Sequence, residues 1–285
     1  MLYKEYEPEI LQKLQAIELK ILADFANFCE EHEIDYFGCG GTMLGAVRHK
    51  GFIPWDDDID IGMTREHYDK FLALADNAYD GRYRILNAEI DPKFSGMLSK
   101  WYRVGTLFRD KDSMVTGYKA GIAIDIFCFD NVADDDKALR RQAMSAWGFG
   151  KLFILRNISK PTVYVKGFRG KVTAGISVVV NGVLRLLHVS PSFLYRKADK
   201  AAQKYKDVET DRVAFLFDPT PYTSMLKRSD IYPTQFLAFE NIKLRFTSKP
   251  EAYLEGRYGK DYMTPPAEDN RHNHPPMELD FGGEE

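Results

Sequence analysis

The chain has 285 residues, of which 45% are apolar, 28% charged and 13% aromatic, the balance of a folded globular protein and not of a disordered or fibrous one. That length holds one large domain with an appendage and excludes two independent large domains. A formal net charge of -3 argues against a protein that coats nucleic acid, because such domains carry a marked basic excess.

The average conceals an asymmetry. Lys151 to Lys204 carries eleven basic residues against one acid, Asp199, a local charge of +10, which leaves 28 basic against 41 acidic residues, or -13, elsewhere. Opposite partners are therefore expected at opposite ends of the molecule. Cys29, Cys39 and Cys128 form no paired spacing, so neither a disulfide framework nor a zinc site is indicated, and a reducing compartment is expected. The start, Met1 to Glu5, runs into an acidic amphipathic segment without the features of a secretory signal, which points to the cytoplasm.

In chain order, Pro8 followed by Ile10, Leu11, Leu14, Ile17, Ile21, Leu22, Phe25 and Phe28 predicts a long opening helix with its acids on the other face. Ile34 to Phe37 reads as a short strand that runs into Gly38-Cys39-Gly40-Gly41-Thr42, a tight backbone passage before a short helix over Thr42 to Arg48. Asp56 to Met63 alternates acids with Ile59 and Ile61, the period of a strand. Thr64 caps a helix through Asp76, strands are expected at Tyr83 to Leu86, Met97 to Val104 and Ile122 to Phe129, and the basic stretch is mainly helical. The run from Ala174 to Val189 is too short and too interrupted to span a membrane. Residues 253–266 read as short turns, and Gly282 to Glu285 as a frayed tail. The order of elements predicts an α+β fold, a mixed sheet flanked by helices, forming one domain over residues 1–285 with a helical basic insertion at about 134–206.

In an extended strand, side chains two apart share a face, so Asp56, Asp58 and Asp60 project together while Ile59 and Ile61 pack behind them. Carboxylates this close repel one another, and a divalent cation keeps them ionised. All-oxygen ligation selects magnesium or manganese. Most runs of three acids are solvated loops, but these lie between apolar segments, where unpaired carboxylates are costly. Asp125, within Ile122 to Phe127, is either a third metal ligand or a carboxylate held by hydrogen bonds. Gly40, Gly41 and Thr42 can present backbone N–H groups and a helix N-terminus to a phosphate. Arg48, Lys50, Lys100 and Arg103 are the candidate cations for a donor's phosphates.

Gly40-Gly41-Thr42-Met43-Leu44-Gly45-Ala46-Val47-Arg48, then Gly51-Phe52-Ile53-Pro54-Trp55-Asp56-Asp57-Asp58-Ile59-Asp60, resemble the signature of the LicD family, which includes the fukutin-related transferases. The resemblance continues at Ile124 to Phe127, at Phe239-Glu240 and from Tyr258-Gly259 to Pro265-Pro266, and is weak over about 130 to 230. It implies a nucleotidyltransferase-like fold with Asp58, Asp60 and Asp125 as metal ligands and Asp56 as an accessory acid, the four forming the catalytic set. It further implies a CDP-linked alcohol as donor, often CDP-choline, and transfer of phosphocholine or a related phospho-alcohol to a glycan or its lipid-linked precursor. The family's similar polar ending makes His272 and His274 candidate donor contacts. Residues 151–204 are a candidate contact with anionic lipid at the inner membrane face. Two other readings stay open on sequence: an Asp-x-Asp sugar transferase using a nucleotide sugar, and a catalytically silent binding module on the same fold.

Overall fold

The structure is a computed structural model that describes residues 5–161, 167–219, 222–268, 271 and 273–283, the side chains of residues 167–169 excepted. His272 lies outside the described residues.

Helix α1 (Pro8–Glu31) begins at Pro8, whose missing N–H costs nothing in the first turn. Strand β1 (Phe37–Gly38), helix α2 (Gly40–Arg48), strand β2 (Asp60–Thr64) and helix α3 (Arg65–Ala75) follow, then the single turn α4 (Ala78–Gly81). Strands β3 (Tyr83–Leu86), β4 (Ser99–Arg103) and β5 (Leu107–Arg109), helix α5 (Lys111–Thr116) and the long strand β6 (Ala123–Val132) complete the first half. Helices α6 (Asp136–Asn157), α7 (Gly167–Leu186) and α8 (Pro191–Ala202) stand between β6 and strand β7 (Arg212–Phe215). Strand β8 (Ser224–Lys227), turn α9 (Arg228–Ile231), hairpin strands β9 (Gln235–Phe239) and β10 (Ile242–Phe246), helix α10 (Pro250–Tyr258) and strand β11 (Glu278–Asp280) end the fold.

The main sheet runs β1-β2-β6-β4-β3, and the far end of β6 carries β7 and then β8. Strands β2 and β6 are parallel and their other neighbours antiparallel, so the sheet is mixed. The α+β reading therefore holds. On β6 the period-two pattern sends Ile124 and Ile126 into the core and leaves Asp125 and Phe127 on the other face. Leu14, Ile17, Ile21 and Phe25 of α1 share that core with Ile59, Ile61 and Trp101, whose ring stacks on Tyr83 at 4.0 Å. The helical insertion is tied to this core by Arg65, which forks across Asp130 at 2.8 and 2.9 Å and reaches Asp199 of α8 at 3.3 Å.

Four expectations are corrected. The first strand is confined to Phe37–Gly38. Residues 56–59 carry no regular secondary structure, and the strand begins only at Asp60, although the Ile59 carbonyl already accepts the Asp125 N–H at 2.8 Å. Residues 250–258 form a helix, not turns: Pro250 starts it, and Gly259, with φ +86°, ends it. Near the C-terminus, Glu278–Asp280 pairs antiparallel with β5, a strand not expected from the sequence; of the tail expected at 282–285, residues 284 and 285 lie outside the described residues.

Candidate active site

The Gly40-Gly41 pair lets two carboxylates approach the start of α2. A Cβ on Gly40 would lie 2.0 Å from Asp60 Oδ2, and one on Gly41 2.6 Å from Asp56 Oδ2. Gly40 also has φ +50°, which disfavours any side chain. The Gly41 N–H donates to Asp60 Oδ2 at 3.3 Å, the Asp60 N–H to Thr42 Oγ1 at 2.8 Å, and the Gly40 N–H to the Tyr253 hydroxyl at 3.0 Å. The bonds from Gly41 and to Thr42 hold Asp60 against the start of α2.

The register of the sheet sets Asp60 beside Asp125 and Lys100 opposite Asp125. The Lys100 ammonium donates to Asp125 Oδ1, and although burial lowers its proton affinity, Asp125 more than restores it. The acids of the preceding loop keep the alternation of a strand: Asp57 and Ile59 are buried, and Asp56, Asp58 and Asp60 are half-buried. The hairpin β9–β10 braces this loop. Glu240 accepts the Phe52 N–H at 2.9 Å, donates its own N–H to the Lys50 carbonyl at 2.7 Å, and packs Phe239 against Phe52.

Asp57 is satisfied locally. Its Oδ2 accepts from the Tyr6 hydroxyl at 2.6 Å, and both its oxygens accept from the His274 N–H at 2.9 and 2.8 Å. This bond anchors the C-terminal segment and brings His274 Nδ1 to 3.2 Å from Asp58 Oδ2. Among the described residues, Asp57, Asp58 and His274 are the one group of three whose ligand atoms all lie within 4.8 Å of one another; Asp58, Asp60 and Asp125 are not so grouped. With Asp57 already accepting from two donors, the Tyr6 hydroxyl and the His274 N–H, that trio acts as a clamp.

Asp57, Asp58, Asp60, Asp125 and Lys100 line a cavity of about 360 Å³, whose remaining wall includes Phe127, Phe215, Phe217, Asp218, Arg257 and His274; Asp56 is not among the lining residues. Burial first, then the charges of Asp58 and its neighbours, push Asp56 and Asp60 well above the usual carboxylate range. Burial also raises Asp125, against the pull of Lys100. For Asp58, burial acts upward but is outweighed by the hydrogen bond and charge of His274, leaving it lowered. His274 is raised to about 10, first by its bond to Asp58, against the opposing effect of burial. Arg48, Lys50 and Arg103 stand outside the lining: Arg48 donates to the Tyr262 carbonyl, Lys50 to the Val47 carbonyl and Arg103 to the Tyr83 hydroxyl. Lys100 is the one predicted cation that lines the cavity.

The pattern of residues 40–60, folded around a parallel strand pair that aligns Asp60 with Asp125, has counterparts in known proteins. Residues 33–147 match the LicD/FKTN/FKRP nucleotidyltransferase domain. This segment is a LicD-family domain. It contains Asp56, Asp58, Asp60, Lys100 and Asp125. The chain is similar to lipopolysaccharide cholinephosphotransferase LicD of Haemophilus influenzae, 37% identical over 130 residues, which cover 45% of this chain and 48% of that protein. It is also similar to uncharacterized proteins of Rickettsia typhi, 37% identical over 71 residues (25% of this chain, 23% of that protein), and of Rickettsia prowazekii, 45% identical over 47 residues (16% and 18%). The match thus spans about half the length of the Haemophilus protein and less of the others.

Eight lining residues lie outside the LicD-family segment, among them Glu18, Asp218, Arg257 and His274. Glu18 is 2% exposed, and its Oε2 has no hydrogen-bond partner. Its signal was present in the sequence, because Leu14, Glu18, Ile21 and Phe25 share one helical face, and an acid on the apolar stripe is anomalous. Arg257 had no such signal. It faces the cavity only because α10 is a helix, and there it donates to Ser224 Oγ at 2.6 Å and Asp218 Oδ1 at 3.4 Å.

Proposed function

We propose that this protein transfers phosphocholine, or a related phospho-alcohol, from a CDP-linked donor to a hydroxyl of a cell-surface glycan or its lipid-linked precursor. The observation that carries this reading is the joint placement of Asp58, Asp60 and Asp125 on one cavity, within the LicD-family segment of a chain similar over part of its length to a lipopolysaccharide cholinephosphotransferase.

The residues fit a divalent cation. The acids present oxygen ligands, their mutual repulsion is offset in part by Lys100, His274 and Arg257, and the buried Glu18 oxygen is left unpartnered. Asp58, Asp60 and Asp125 would hold magnesium or manganese, which would neutralise charge on the donor diphosphate and on the departing CMP. Lys100 and Arg257 supply fixed positive charge to the same anion.

The acceptor oxygen attacks phosphorus as the bond to the CMP oxygen breaks, and the hydroxyl proton passes to a carboxylate of the cluster. We assign that role to Asp56, which sits against Gly41 beside the cluster although outside the cavity lining, and whose hold on a proton burial and its neighbours strengthen. The aromatic wall of Phe127, Phe215 and Phe217 suits a cationic alcohol such as choline, which binds ring faces.

The test is thermal unfolding with CDP, CDP-choline, UDP-glucose and ATP, each with magnesium and with chelator, since a ligand at a hundred times its dissociation constant adds about 2.7 kcal/mol. Stabilisation by CDP-choline that chelator abolishes is expected. Stabilisation by UDP-glucose alone would replace the proposal with a sugar transferase, and no response to any ligand would leave a binding module.

A further inference from the structure

No acid occurs between Asp136 and Asp199, a span that includes all of α7. Within α7 the usual amphipathic order is reversed. Ser177 and Asn181 face inward, and the Asn181 amide donates to the carbonyls of Leu155 and Arg156 at 2.6 and 3.2 Å, satisfying the end of α6. Val172, Ile176, Val179, Val183 and Leu186, spaced four, three, four and three apart, are instead exposed, and Leu187 continues the stripe. Val179 is 65% and Leu186 76% exposed, far more than isolated surface aliphatics require, and they form one line instead of a scatter.

The cations sit where such a stripe needs them. Lys171 and Arg185 are exposed on α7 to one side of it, and α8 adds the exposed Arg196, Lys197 and Lys200 near the exposed Phe193. Among the described residues no single helix is long and apolar enough to cross a membrane, and the segments Gly170–Leu186 and Pro191–Tyr205, which reach that length and composition only together, meet at 111°. An apolar stripe bordered by cations without acids matches the interfacial plane of an anionic bilayer, with aliphatics at the acyl boundary and cations at the headgroups. A second copy of this chain is a poorer occupant, because it would set two equally basic faces against each other.

We propose that the outward face of α7, with the cations of α8, docks this protein on an anionic lipid surface without crossing it. The basic segment alone is a weak signal; the outward aliphatic line makes the surface specific for lipid over a soluble polyanion. This inference is independent of the transfer reaction, since binding to vesicles is read without turnover.

The experiment is flotation of the full chain with phosphatidylcholine vesicles and with vesicles containing phosphatidylglycerol, at low and high salt. Binding to the anionic vesicles, weakened by salt, is expected. The charge-neutral double variant Val179→Gln/Leu186→Gln should lower that binding about tenfold or more while leaving the thermal melt unchanged. Lys171→Gln/Arg185→Gln should reduce the salt-sensitive part alone. Absence of binding, or binding that ignores V179Q/L186Q, would overturn the proposal. So would a concentration-dependent dimer in light scattering that the same variant abolishes, since the face would then belong to a second copy.

Discussion

Asp60 and Asp125 are partners in the parallel β2–β6 pair, and Lys100 opposes Asp125 from the antiparallel strand β4, so three strands carry two carboxylates and one ammonium in a single row. Two acids held this close by backbone register cannot separate to relieve their repulsion. Asp60→Asn or Asp125→Asn should therefore cost roughly a hundredfold or more in turnover while leaving the fold intact. Transfer from CDP-choline, measured beside a thermal melt, checks this; unchanged turnover in both variants would remove the pair from the chemistry.

Gly40 sets the position of Asp60. An added methyl at Gly40 falls 2.0 Å from Asp60 Oδ2, on a residue already at φ +50°, so either the carboxylate swings away or α2 shifts. Gly40→Ala is expected to destabilise by about 1 to 3 kcal/mol and to weaken metal-dependent stabilisation of what remains folded. Gly259 is the control: it too has a positive φ, but a Cβ there meets nothing within 4 Å. Gly259→Ala should lower the melting temperature yet keep the response to magnesium, and equal loss of that response in both variants would refute the positioning role.

Much of this site was legible because its elements are short and local. The spacing of Asp56, Asp58 and Asp60 and the apolar frame of Asp125 needed only the period of a strand, and α1, α3 and β3 needed only their periodicity and caps. What remained hidden depends on distant contacts. Nothing in Arg257 or His274 predicts that one joins Asp218 and Ser224 or that the other seals Asp57 and Asp58, because tertiary folding alone brings residues so remote in sequence together. The partners of Gly40, Gly41 and Thr42 were hidden in the same way: the Gly40 N–H bonds Tyr253, and the Gly41 N–H and Thr42 hydroxyl bond Asp60.

Lys100 is the internal counter-ion of Asp125, with both side chains largely buried. Lys100→Met strands that carboxylate, and breaking a fully buried pair costs roughly 3 to 5 kcal/mol, with less expected here because both groups keep some exposure. If a cation sits beside Asp125, magnesium should recover more stability in Lys100→Met than in the native protein. Unfolding midpoints with magnesium and with chelator measure the difference; equal recovery in the two proteins would place the cation away from Asp125.

Glu18 should give the protein a distinctive response to pH. Burial first, then the charges of Asp57, Asp58 and Asp56, raise its carboxyl well above its ordinary value near 4.5. A raised acid binds more protons folded than unfolded, so its contribution to stability is full below the unfolded value and declines as pH rises through the folded one. Glu18→Gln keeps the shape and a hydrogen-bonding head but cannot ionise. The variant should match the native protein in mild acid, exceed it at alkaline pH and lose less stability between the two. Urea midpoints across that range, taken with chelator so that no cation offsets the acids, give the comparison. Parallel curves would mean that Glu18 stays ionised in the folded protein with a counter-charge of its own.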